Sequence, residues 1–343
     1  MNSWKSRLLL AESFSDQEWL KLFRNTLEGR LNSQETKALL LLLARKGEEV
    51  SELWGCLNVV RRLEPPKPVS LPFLIDVCGT GGDGQGAFNI STVSAFVIAG
   101  AGGYVAKHGN RSVSSKVGSS DLMEALGVRL DLPFGQMLNA LQEYHLGYFH
   151  APLYHASFSG VQTVRREIGI RTLFNLLGPL VNPVEVTYQM IGISNPDWME
   201  PIGEALRKVG RKRAAVFYSR DGFDELSTGA ENVILYLAEG KQRKFHLDPQ
   251  KWGFSKASLR DYQGGGLQTH RRIGLGILEN RLKGPCQDVV VLNSGFALWL
   301  SGLAKSLTEG IEKSRWVIRT GQAREVLGAL QRLSRSKVYG RKS

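Results

Sequence analysis

The stretch from Asp76 to Thr92, DVCGTGGDGQGAFNIST, runs a short apolar segment into a loop with glycines at 79, 81, 82 and 84. A loop without Cβ atoms can turn its backbone N–H groups toward an anion. Asn89, Ser91 and Thr92 then open a helix, where free N–H groups and hydroxyls favour phosphate. The pattern is neither the G-x-G-x-x-G dinucleotide fingerprint nor a Walker loop, since no Gly-Lys-Ser/Thr closes it. A Gly-rich stretch can be no more than a turn. Asp83 and Ser91 add oxygens suited to Mg²⁺, and that moves the reading toward a phosphate-and-metal site.

Two further stretches supply charge. Between Ala106 and Asp121, Lys107, Arg111 and Lys116 alternate with hydroxyls and glycines and with no aromatic residue. Such a run is ordinarily a solvated loop. Lys107, however, follows directly on a predicted strand, at the edge where open α/β sheets bind ligands, and the hydroxyl-rich remainder can fold over a phosphate. Residues 220–226, RDGFDEL, set Asp224 beside Glu225 just after another predicted strand. Adjacent carboxylates usually make a solvated turn, but near a phosphate loop they can bridge magnesium, which takes a few carboxylates plus substrate oxygens. Spacing alone leaves both readings open. His108, taken singly, reads as structural more readily than catalytic.

The elements that must position these groups follow from a change of texture along the chain. The first 64 residues read as helical, with capping-box spacing at Ser15/Glu18 and at Asn32/Glu35 ahead of apolar-periodic runs. Ala38 to Ala44 is apolar nearly all round, which predicts a buried helix or one at a subunit contact. Pro65, Pro66 and Pro68 then make a stiff linker. Beyond it, predicted strands at Leu74–Cys78, Tyr104–Ala106 and Val216–Tyr218 alternate with helices from about Ile90, at Ser119–Leu126 and at Phe134–Tyr144. That alternation predicts an α/β fold with a mainly parallel sheet flanked by helices. Residues 161–177 return to helical texture without a strand, so the smaller helical unit is expected to be discontinuous. Residues 289–303 and 321–333 read as closing helices.

Composition bounds the rest. At 343 residues the chain suits roughly two domains. Its 42% hydrophobic content excludes disorder, and its 38 glycines show no fixed period. Lys and Arg exceed Asp and Glu by 44 to 32, a net +12 that suits an anionic partner. Cys56, Cys78 and Cys286 are too scattered for a disulfide framework or a zinc site, and fit a cytoplasmic protein. The N-terminus is too polar for a signal peptide, and no apolar run reaches the roughly 20 residues of a membrane span.

Together the motifs resemble the anthranilate phosphoribosyltransferases, the tryptophan-pathway branch of the nucleoside phosphorylase-like transferases. The resemblance rests on GTGGDG at 79–84, FNIST at 88–92, KHGNRSVSSK at 107–116 with GSSD at 118–121, VRREIGIRTLFNLLGPLVNP at 164–183 and DGFDEL at 221–226. It implies transfer of a phosphoribosyl group from phosphoribosyl pyrophosphate (PRPP) to the amine of anthranilate. PRPP would be met by Gly79, Gly82, Asp83, Ala87, Asn89, Ile90, Ser91, Thr92, Lys107, Arg111, Ser115 and Ser119. Anthranilate would be met by Gly79, His108, Asn110, Arg165, Gly178 and Pro179, with the Arg165 guanidinium on its carboxylate. Ser91, Asp224 and Glu225 would hold two Mg²⁺ ions per subunit.

The implied organisation is a helical domain from 1–68 and 156–190 that joins a homodimer, an α/β domain from 71–155 and 191–335, and a basic tail at 336–343. No acid–base catalyst, membrane or nucleic acid is implied. The departures are concentrated on the acceptor side. Where the family reads HPAMKHVAPVR, this chain has HASFSGVQTVR at 155–165. The Thr usual before FNIST is Ala87, and the usual His-Gly before the acidic motif is Tyr218-Ser219. Two other readings follow from these departures and from the charge: a PRPP-dependent transferase for another aromatic amine, and a non-catalytic nucleic-acid-binding relative.

Overall fold

The computed structural model describes residues 4–111 and 116–335; the expected PRPP contact Ser115 and the basic tail at 336–343 lie outside the described residues. Four helices come first: α1 (Trp4–Leu9), α2 (Asp16–Leu27), α3 (Ser33–Lys46) and α4 (Val50–Leu63). Both expected capping boxes form. The Ser15 and Asn32 side chains accept the N–H of Glu18 and Glu35, whose carboxylates reach back to the cap N–H groups. These reciprocal bonds satisfy donors that an open helix end leaves bare. In α3, Leu39, Leu40 and Leu43 are buried, while Leu41 stays partly exposed.

Seven strands follow: β1 (Leu74–Gly79), β2 (Tyr104–Gly109), β3 (Leu146–His150), β4 (Tyr188–Gly192), β5 (Arg213–Ser219), β6 (Asn232–Ala238) and β7 (Lys241–Leu247). They make one sheet of order β3-β2-β1-β4-β5-β6-β7. The first five strands run parallel, and β6 and β7 add an antiparallel hairpin at one edge. The intervening helices are α5 (Ile90–Gly100), α6 (Ser119–Ala125), α7 (Phe134–Tyr144), α8 (Ser159–Ile168), α9 (Leu173–Leu177) and α10 (Met199–Lys208). Helices α11 (Leu267–Leu278), α12 (Pro285–Ser301), α13 (Leu307–Arg319) and α14 (Gln322–Arg335) close the chain. Among the described residues no helix is long and apolar enough to cross a membrane.

Both faces of the sheet are buried, and successive side chains feed different cores, as the two-residue period of a strand requires. Val77, Met190, Ala215, Phe217 and Ile234 join the core made with α5, α12 and α14. Ile191, Val216, Val233 and Leu235 face the other way and pack with α10 and the helices α2–α4, α8 and α9. Residues 159–180 thus return to the first four helices, and the chain re-enters the sheet at Tyr188.

Candidate active site

The strand order turns at β1: β2 and β3 lie on one side of it, β4 and β5 on the other. Open α/β sheets take ligands at the carboxyl ends of strands where the order reverses. A cleft of about 340 Å³ opens there, beside Gly79 at the end of β1. It is lined by Gly79, Gly82, Asp83, Ala87, Asn89, Ser91, Lys107, His108, Asn110, Arg111, Ser119, Arg165, Gly178, Pro179, Asp224 and Glu225.

Buried charge dominates one side. Lys107 is buried, and its Nζ donates to the Val77 carbonyl at 2.7 Å and to Ser91 Oγ at 3.2 Å. Its ammonium has one N–H left for the cleft. Burial lowers its pKa, while Asp76, Cys78 and Glu225 pull it back up. Asp76 lies beneath and accepts the N–H of His108 at 3.4 Å. Glu225 accepts the Ser91 N–H at 3.0 Å, and Asp224 accepts the Gly81 N–H at 3.0 Å. Burial pushes Glu225 up to about 7, against the pull of Lys107. Asp224 is raised well above the carboxylate range by burial and by the negative charge of Asp83 and Glu225. Three acidic groups held this close in low dielectric repel one another, and the single ammonium of Lys107 offsets only part of their charge. Asp224 can approach the sheet only because its neighbours are glycines: a Cβ at Gly79 would sit 2.9 Å from its carboxylate, and one at Gly192 would strike its carbonyl.

The opposite side is aromatic. Arg165 on α8 is largely buried, donates to Asn175 Oδ1 at 3.2 Å and stands 5.7 Å over the Phe174 ring, and burial lowers its pKa. Phe158 stacks on His155 at 5.3 Å and meets Phe174 edge-on at 5.4 Å. His108 Nδ1 lies 3.2 Å from the Gly178 carbonyl and its Nε2 lies 3.2 Å from His155 Nε2. Burial, then His155, holds His108 down to about 3.

Comparison with known proteins decides what this cleft belongs to. Residues 71–324 match the model of the glycosyl transferase family, a/b domain. An anthranilate phosphoribosyltransferase of Persephonella marina is 41% identical over 325 residues, covering 94% of this chain and 96% of the relative. The chain belongs to the anthranilate phosphoribosyltransferase family. The crystal structure of the Thermus thermophilus anthranilate phosphoribosyltransferase matches with a TM-score of 0.89 at 35% identity, covering 97% of this chain and 99% of that one. The Saccharomyces cerevisiae enzyme in complex with PRPP and Mg shares the fold, with a TM-score of 0.87 at 23% identity over 96% of each chain.

Within this family frame, most residues singled out by the motifs meet at the cleft, and two turn away. Ile90 packs into the core of the α/β layer, and Thr92 is fully buried with its hydroxyl unpaired, because both point inward from the first turn of α5. Arg111 lines the cleft, but its Nη1 is paired with Asp121 at 2.8 Å and Glu124 at 2.6 Å. Motif reading passed over Asp76 beneath Lys107, Asn175 beside Arg165, and His270, whose Nδ1 lies 2.5 Å from Asn89 Oδ1. Asp76 and Asn175 stood inside quoted motifs, so their polarity within apolar surroundings was an available signal. His270 lies 181 positions from its partner, and nothing local marks it.

Proposed function

We propose that this chain transfers the phosphoribosyl group of PRPP to the amine of anthranilate and releases pyrophosphate, in tryptophan biosynthesis. One observation carries the reading: a buried carboxylate cluster with Lys107 stands at the sheet switch point, and Arg165 faces the same cleft. The cluster fits Mg²⁺. Magnesium is held by one or two carboxylates and completes its shell with substrate phosphate oxygens. Ser91, Asp224 and Glu225 would hold it, with two ions per subunit as our proposal. When bound, the metal supplies positive charge where the pyrophosphate leaving group becomes more negative.

The chain's own groups do the rest. The Gly79–Gly84 loop and the Lys107 ammonium receive the phosphates, and Arg165 fixes the acceptor by its carboxylate. This alignment sets the neutral aniline nitrogen on the ribose C1 face opposite pyrophosphate, and holding two reactants in line removes much of the barrier. His108 has both ring nitrogens committed, so it shapes the pocket rather than taking the amine proton. Closure of the helical unit (1–68 and 156–190) on the α/β unit would exclude water from the activated ribose. Exposed Leu9 at the end of α1, Leu10 just after it and partly exposed Leu41 on α3 support a homodimer formed through the first helices. Three free cysteines support a reducing cytoplasm as its compartment.

The test is to incubate the protein with PRPP, Mg²⁺ and anthranilate and to follow the loss of anthranilate fluorescence. Turnover is expected. No turnover, with salt-sensitive nucleic-acid binding instead, overturns the reading. The altered segment 156–163, which puts Phe158 against His155, favours a second reading: another aromatic amine as the better acceptor. Comparing substituted anilines in the same assay separates the two.

A further inference from the structure

A line of polar contacts leaves the acceptor pocket and ends at the close of α4. The Gly178 carbonyl meets His108 Nδ1 at 3.2 Å, His108 Nε2 meets His155 Nε2 at 3.2 Å, and His155 Nδ1 meets Glu64 Oε2 at 2.7 Å. The other Glu64 oxygen accepts the Ser157 N–H at 2.9 Å. Both histidines are buried. Three contacts bounded by two acceptors need three protons, and two neutral imidazoles carry two. His108 does not take the third, because burial, His155, Lys107 and His150 all disfavour its charged form. The third proton therefore lies on the His155–Glu64 pair. Whichever member holds it, His155 Nε2–H donates to His108 Nε2, and His108 Nδ1–H donates to Gly178.

Removing that proton forces a choice. Glu64, a carboxylate, is the stronger acceptor and keeps the Nδ1–H of His155. His108 then has one proton for two acceptors, and the His155 Nε2, made more basic by its ring's donation to Glu64, takes it from His108 Nε2–H in preference to the Gly178 carbonyl. His108 Nδ1 is left bare against the Gly178 carbonyl, two lone pairs face each other, and that contact is lost.

We propose that Glu64 and His155 are positioning residues for the acceptor pocket: the proton they share decides whether His108 holds the Gly178 carbonyl, and with it the Gly178–Pro179 wall. The proposal rests on the anthranilate reading above for what the wall contacts. The charged and titratable groups around the line are Lys107 on β2, Asp76 on β1, His150 at the end of β3 and Arg165 on α8. The line joins the end of a helix in the first helical group to a strand of the sheet, so the same proton also ties the two packing layers together.

The test measures KM for each substrate across a series of pH values on both sides of neutrality. In the unaltered chain, KM for anthranilate should rise roughly five- to ten-fold through one ionisation, the worth of one lost hydrogen bond to a buried carbonyl. KM for PRPP should not follow. Glu64→Leu removes the competing acceptor, so a neutral His155 keeps its Nε2–H on His108 and the rise should flatten. His155→Gln, whose amide can donate to His108 without titrating, should flatten it as well and guards against a folding failure of the first variant. Imidazole ¹⁵N spectra give the direct readout: His108 should carry its proton on Nδ1 at low pH and on Nε2 at high pH. A single His108 tautomer throughout, or a rise that survives Glu64→Leu, overturns the proposal. The spectra need no substrate, so absence of transfer would remove the functional reading while the proton arrangement is still decided.

Discussion

The two walls of the cleft are built by opposite means. The donor wall hangs on strand ends: Gly79 closes β1, Lys107 lies within β2, and Asp224 and Glu225 follow β5, all tied to backbone groups. The acceptor wall is made of side chains on short pieces of helix between residues 155 and 179, with Phe158, Phe174 and Arg165 leaning on one another. Backbone-held charge tolerates almost no substitution, because an unpaired buried group costs its full desolvation. Aromatic contacts tolerate exchange at a modest cost. The cluster of departures from the family pattern at 156–163 falls where the construction permits it, while those on the other wall are the single change at Ala87 and the pair Tyr218-Ser219.

The sharpest way to break the comparison is on the donor side. Asp224→Asn should lower kcat/KM by about a thousand-fold, as loss of a preorganised charge at the leaving group does, and should weaken magnesium dependence in a metal titration. An unchanged titration would show that Asp224 is no ligand. On the acceptor side, Arg165→Ala should raise KM for anthranilate by about fifty-fold, the worth of a charge-assisted pair, with KM for PRPP nearly constant. Equal effects on both would mean that the walls are not separate. Phe158→Ala should cost about five-fold in anthranilate kcat/KM and shift the ranking of substituted anilines, since an edge-on aromatic contact is worth about 1 kcal/mol.

The smallest effect is on stability. Glu225 sits at about 7 in the fold against an ordinary 4.5, so the folded chain keeps a proton that the unfolded chain releases. Stability is then full below the ordinary carboxylate range and falls as pH rises toward 7. Calorimetry without metal should show Glu225→Gln gaining Tm over the unaltered chain at about pH 8 and losing that gain at about pH 5, with Mg²⁺ and PRPP stabilising the unaltered chain.

Much of the donor wall was legible because its residues are close in sequence and each carries a local reason. The glycines at 79–84 permit a backbone cradle, Lys107 falls just past a predicted strand that in the fold runs on to Gly109, and two carboxylates stand side by side. Both capping boxes were legible for the same cause, as an N-cap and its partner lie three residues apart. The turning of Ile90 and Thr92 into the core was not, since contiguity in FNIST says nothing of which face of α5 each residue takes. Arg111 does line the cleft, but its pairing with Asp121 and Glu124 was not legible, because their helix comes alongside only on folding.

From its order of residues alone, the chain determined the α/β class, the helical texture of the first residues and of 161–177, and the glycine loop. These depend on periodicity, capping and glycine geometry, which act over a few residues. Tertiary structure decided the charge state of the site and the construction of its second wall. Burial raises Asp224 and Glu225 and lowers His108 only once distant elements close over them. The contact of Glu64 with His155, 91 positions apart, exists only because folding brings the end of α4 to the start of the 155–180 segment. Desolvation and long-range proximity are properties of the packed molecule, and no local pattern carries them.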